Sequence, residues 1–138
     1  MGQILHASTV TLAGRGLMIQ GRAGSGKSTL ALQLMAYGAT LISDDRTEVF
    51  QKDGTLRARA PTAIAGRIEA RGIGILAAQM NAEVALMAVV DLDRNETDRL
   101  PEKRSTSIEG VTLPLLYRPA GVHFAPGLLQ YLKAGRAD

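Results

Sequence analysis

The sequence contains no cysteine, which excludes a disulfide framework and any thiolate-bound metal. It contains no tryptophan, three tyrosines and two phenylalanines. That is too few aromatic rings for a base-stacking surface, so nucleic acid is not expected as a partner. The core must then come from Leu, Ile, Val, Ala and Met. No apolar run is long enough to cross a bilayer, so no membrane is expected either. The first residues, Met1-Gly2-Gln3-Ile4-Leu5-His6, lack the basic and apolar regions of a signal peptide. Together these absences predict a cytoplasmic protein.

What is present suits one domain over residues 1–138, with a hydrophobic content of 46% that is normal for a globular core. The net charge is +3, and the basic residues are scattered rather than clustered. Such a balance fits phosphate-bearing or acidic partners.

The chain is organised around Gly21-Arg22-Ala23-Gly24-Ser25-Gly26-Lys27-Ser28, which reads G-x-x-x-x-G-K-S. Glycines let the backbone curl round a phosphate, so that the amides from Ala23 to Thr29 all point at one anion. Lys27 would reach the β- and γ-phosphates of a nucleotide, and the Ser28 hydroxyl would hold Mg²⁺. The flanks agree. Leu17 to Gln20 is an apolar run fit for a buried strand. Thr29 to Met35 is strong helix sequence, with Gly38 as its terminal cap. A chance glycine-rich turn would not need such flanks.

Along the rest of the chain, Ile4 to Leu12 reads as one extended segment turning at Ala13 to Gly16. His6 lies in that segment, where a lone histidine has no special meaning. Thr40 to Ser43 reads as a short buried strand ending in Asp44-Asp45, a place for a carboxylate beside Mg²⁺ or the attacking group. Arg46 to Phe50 and Thr55 to Ala58 flank Lys52-Asp53-Gly54, a hairpin signal that argues against a plain doubly wound sheet. Ala60 to Arg67 reads as loop with a short helical piece. In Ile68 to Leu76, charges and glycines interrupt an apolar stretch, as in a shaped site segment or an exposed surface strand. Val84 to Leu92 reads as a central strand whose Asp91 and Asp93 rival Asp44 and Asp45. Arg94 to Arg104 reads as a charged loop. Ser105 to Pro114 suggests another hairpin, and Pro126 to Lys133 a last helix.

The order of these motifs resembles the catalytic domain of the HPr kinase/phosphorylase family. The resemblance rests on His6, on Gly21 to Ser28, on Leu41-Ile42-Ser43-Asp44-Asp45-Arg46, and on the signature Glu69-Ala70-Arg71-Gly72-Ile73-Gly74-Ile75. It fades after about Arg99. It implies an α/β fold: a single P-loop nucleotide-binding domain with a mixed, partly antiparallel sheet. It implies a short form that begins at the catalytic domain, without the family's N-terminal domain and long terminal helices. The implied activity is ATP-dependent phosphorylation of a serine of the phosphocarrier HPr, reversed by inorganic phosphate with release of pyrophosphate. A homohexamer is suggested by the resemblance alone.

The resemblance also implies roles. Gly21, Ala23, Gly24, Ser25, Gly26, Lys27, Ser28 and Thr29 would hold ATP, and Ser28 and Glu69 would bind Mg²⁺. Asp44 would take the proton of the attacking serine and return it in the reverse step, tuned by Asp45 and His6. Arg71 and Arg99 would steady phosphate charge, Arg99 chiefly in phosphorolysis. Under this reading Asp91 and Asp93 are structural or peripheral. Asn95-Glu96-Thr97-Asp98 only faintly matches a guanine-reading motif, because Glu replaces its Lys. Two alternatives keep the same phosphate-handling residues: a P-loop kinase for another protein or small-molecule acceptor, and an ATP-sensing module without turnover.

Overall fold

The computed structural model describes residues 2–138. The chain first forms β1 (Gly2–Leu5), β2 (Ala7–Leu12) and β3 (Arg15–Gln20), then helix α1 (Lys27–Ala36) and β4 (Thr40–Ser43). The hairpins β5 (Thr47–Lys52)–β6 (Thr55–Arg59) and β7 (Arg67–Ala70)–β8 (Gly74–Ala77) follow, with one 3-10 turn between them at Thr62–Ile64. The long strand β9 (Val84–Glu96), the hairpin β10 (Arg104–Ile108)–β11 (Val111–Pro119) and helix α2 (Phe124–Ala134) complete it.

Nine strands make one mixed sheet in the order β1-β5-β6-β9-β3-β2-β4, with β11 also on β9 and β10 outside it; β7 and β8 pair with each other. Only β3–β9 and β9–β11 are parallel among the described pairs. This agrees with the expected mixed sheet. β9 serves two cores because its register against β3 shifts at Met87, between the pairs Gly16–Leu86 and Leu17–Ala88. Ala88, Val90 and Leu92 join Leu30 and Leu34 of α1 and Leu128 and Leu132 of α2 on one face. Val84, Leu86 and Val89 pack with Met18, Val49, Leu56 and Leu113 on the other. Each fully buried Leu or Val contributes about 1.5–3 kcal/mol relative to exposure, so both faces of the central strands hold the sheet together.

Two elements differ from expectation. The extended segment Ile4–Leu12 is two strands, because β1 joins β5 while β2 joins β3 and β4. His6 stands at the crossing, exposed. The charged segment from Arg94 is not loop at its start. Asn95 and Glu96 continue β9 because Arg118 and Pro119 of β11 pair with them. Arg104 then caps this end, 2.8 Å from Glu96 and stacked over the Tyr117 ring. No helix among the described residues is long and apolar enough to cross a membrane.

Candidate active site

β3 delivers the chain to the glycine loop beside the end of β9, and α1 carries it away. Gly21 has no room for a side chain: a Cβ there would overlap the Ser25 hydroxyl and sit 3.2 Å from the Leu92 Cβ. Gly24 and Gly26 hold φ of 81° and 102°, the left-handed region that glycine occupies without strain. A Cβ on Gly24 would meet nothing within 4 Å, so the missing side chain leaves backbone open to a ligand. Asp93 anchors the start of the loop, accepting from the Arg22 amide at 3.0 and 3.3 Å. Arg118 holds its middle by donating to the Ser25 carbonyl. Lys27 is 5% exposed and donates to the carbonyls of Gly21 at 2.8 Å and Arg22 at 3.3 Å.

The first turn of α1 carries no acidic residue, and its cap makes no side-chain hydrogen bond. Its free amides and positive dipole end therefore remain available to an anion. The Ser25 hydroxyl is buried without a partner among the described residues. An orphaned donor, open glycine backbone and an uncapped helix start are what a polyphosphate group requires, so the residues present fit one.

The two aspartates at the end of β4 differ in kind. Asp44, expected to take the substrate proton, is 8% exposed. Its Oδ1 accepts from the hydroxyls of Ser8 at 2.9 Å and Ser28 at 2.6 Å, and its Oδ2 accepts from the Glu69 amide at 3.0 Å. Asp45 holds φ 67° and turns outward. Its carboxylate lies 3.1 Å from His6 Nε2 and 3.7 Å from Lys27 Nζ.

A cleft of about 370 Å³ gathers Ala23, Gly24 and Gly26 to Thr29 with His6, Asp45, Glu69 and Arg71. The β7–β8 hairpin, formed by the interrupted stretch Ile68–Leu76, supplies the last two. Asp44 contributes from beneath through Ser28 and Glu69. Ser25 lines an adjoining cleft with Thr29, Gln33 and Arg118. Arg99 lies apart, in a cleft with Tyr117, Phe124 and Tyr131. Burial there raises the Tyr131 phenol, and the Arg136 hydrogen bonds hold the Asp138 carboxyl down to about 2. Asp91 accepts from the Asp93 amide at 2.9 Å and does not line the phosphate cleft.

Among the described residues, no three His, Asp or Glu side chains gather as a metal cage. Mg²⁺ usually takes one or two protein ligands and completes its shell with phosphate and water, which suits Ser28 and Glu69 beside a bound triphosphate. Sequence reasoning missed Ser8 and Arg118. Ser8 carries a faint signal, two residues beyond His6 in a strand; Arg118 carries none, since its partner is 93 residues away.

A model of the HPr serine kinase C-terminal domain matches residues 2–119. The HPr kinase/phosphorylase of Levilactobacillus brevis is 38% identical over 116 residues, covering 75% of this chain and 37% of that protein. That of Clostridium botulinum is 43% identical over 72 residues, 52% of this chain and 24% of that protein. The chain thus spans well under half the length of these curated relatives. Among solved structures, the HPr(Ser) kinase/phosphatase from Coxiella burnetii matches with a TM-score of 0.77 and 25% identity, over 95% of this chain and 93% of that one.

Proposed function

This chain belongs to the HPr serine kinase C-terminal domain family, and from that premise we propose that it transfers the γ-phosphate of ATP to a serine of HPr and reverses the transfer with inorganic phosphate. The observation that carries the reading is Asp45. An exposed carboxylate stands on the phosphate cleft with an imidazole and an ammonium beside it. A module that only binds nucleotide has no use for a proton acceptor there.

The geometry supports the following roles. The amides of Ala23 to Thr29 hold the triphosphate, and Lys27 exchanges its loop carbonyls for phosphate oxygens. Mg²⁺ on Ser28 and Glu69 would neutralise charge on the β- and γ-phosphates. Asp44 takes the Ser28 hydroxyl proton in a hydrogen bond, which turns a lone pair of that oxygen towards the metal position. Asp45, rather than Asp44, accepts the proton of the attacking serine, because both Asp44 oxygens are already engaged. His6 orients the Asp45 carboxylate. In the second reaction an oxygen of hydrogen phosphate attacks the phosphoserine phosphorus and gives its proton to Asp45, the P–O bond to serine breaks, Asp45 passes that proton to the serine oxygen, and pyrophosphate leaves. Arg71 steadies charge on the transferring group. Arg99 stands outside this cleft and has no part in the reading.

The test uses the purified chain, HPr and Mg-ATP, followed by removal of ATP and addition of phosphate. HPr should gain the mass of one phosphoryl group, then lose it as pyrophosphate appears. ATP binding with no change in the mass of HPr would refute the acceptor.

A further inference from the structure

The two aspartates are joined by a residue outside the glycine loop and the β7–β8 signature. Ser8 is fully buried in β2. Its hydroxyl donates to Asp44 Oδ1 at 2.9 Å and accepts from the Asp45 amide at 3.0 Å. With the Ser28 hydroxyl on the same Asp44 oxygen, one chain of hydrogen bonds runs from Ser28 through Asp44 and Ser8 to the Asp45 backbone. The β2–β4 register shifts between Thr9 and Val10, and Ser8 lies just beyond that irregularity, opposite the end of β4.

The second observation is the Asp45 backbone. Its φ of 67° is a region that residues with side chains rarely hold without support. In that conformation its carboxylate lies beside His6 and Lys27 while Asp44 points inward. The next turn is closed by Arg46 N–H to the Asp44 carbonyl at 2.7 Å, and by the Ser43 hydroxyl to the Arg46 carbonyl. The Ser8 hydroxyl is the link that fixes the Asp45 amide itself.

We propose that Ser8 is a positioning residue for phosphotransfer: its hydroxyl holds Asp45 in the outward conformation and couples it to the Ser28 side of the site. The proposal rests on Asp45 being the proton acceptor. It separates binding from chemistry, because Ser8 touches no part of the phosphate cleft.

The test compares Ser8→Ala and Ser8→Thr with the unmutated chain. Ser8→Ala should lower kcat roughly 10–100-fold, as expected for losing a hydrogen bond that serves a charged group, with nucleotide affinity within about threefold. Ser8→Thr keeps the hydroxyl and should restore most of kcat. A readout independent of turnover is hydrogen exchange at the Asp45 amide. It should be protected in the unmutated chain, accelerate about tenfold or more in Ser8→Ala, and recover in Ser8→Thr. A kcat for Ser8→Ala within about threefold of the unmutated chain would overturn the proposal, as would nucleotide affinity falling in step with kcat. An unprotected Asp45 amide in the unmutated chain would overturn it even if Ser8→Ala failed to fold. Asp45→Asn, run alongside, separates the two ideas: normal transfer there would sink the proton-acceptor reading, while the exchange data still decide whether Ser8 holds Asp45.

Discussion

Replacing each aspartate of the Asp44–Asp45 pair by asparagine should have opposite consequences. Asp44 is buried and accepts three hydrogen bonds. Asparagine offers one acceptor oxygen and one NH₂. If the NH₂ takes the Oδ2 position, it faces the Glu69 amide, donor against donor. If it takes the Oδ1 position, the hydroxyls of Ser8 and Ser28 must both turn away. Either orientation loses a charge-assisted bond and strands a buried donor, a cost of about 2–4 kcal/mol. For a chain of this size that lowers the melting temperature by roughly 5–15 °C. Asp45 is exposed, and asparagine tolerates its positive φ, so Asp45→Asn should change stability by less than about 1 kcal/mol. Its transfer rate should nevertheless fall about 10²–10⁴-fold, the usual worth of a positioned proton acceptor. Scanning calorimetry and single-turnover transfer followed by mass measure the two quantities on the same preparations. Asp45→Asn transferring within about tenfold of the unmutated chain would refute the reasoning, as would Asp44→Asn melting with it.

Other perturbations test the scaffold of the same site. Gly21→Ala drives a Cβ into the Ser25 side chain, and titration with a fluorescent ATP analogue should show affinity reduced about 10–100-fold, the worth of one overpacked contact. Arg118→Met removes the guanidinium from the Ser25 carbonyl; affinity for the same analogue should drop about 5–20-fold, with little change in melting. Leu34→Ala opens a cavity between α1 and the sheet at a fully buried position, and denaturant titration should give a loss of about 2–5 kcal/mol.

The strand–loop–helix unit was legible because each local signal agrees with its neighbour: an apolar run, glycines that need positive φ, then good helix formers. The β5–β6 and β10–β11 hairpins were legible for the same reason, with Asp53 and Gly54 turning β5 into β6 at φ of 54° and 79°, whereas Ile68–Leu76, read as one interrupted stretch, folds into the β7–β8 hairpin. Long-range pairing was not. The break at His6 exists because β1 and β2 serve different neighbours, β5 on one side and β3 with β4 on the other. Nothing in Ile4–Leu12 marks that division. Likewise Asn95 and Glu96 extend β9 through partners in β11, and local polarity there pointed to loop.

The site shows the same boundary at finer grain. Lys27 and Ser28 were legible from the glycine loop, and Glu69, Arg71 and His6 only through the family resemblance; the fold gathers all five, with Asp45, on one cleft. Which of two adjacent aspartates faces that cleft is a different question. Asp44 and Asp45 lie in the turn beyond the end of β4, so strand alternation does not decide which of them looks outward. The choice depends on a positive φ at Asp45 and on the hydroxyl of Ser8, 37 residues earlier. It also depends on Ser28 and the Glu69 amide, which draw Asp44 inward. Every one of these contacts crosses between elements. A dipeptide of identical residues therefore carries no local information about which member is structural and which meets the substrate, and only the fold breaks the symmetry.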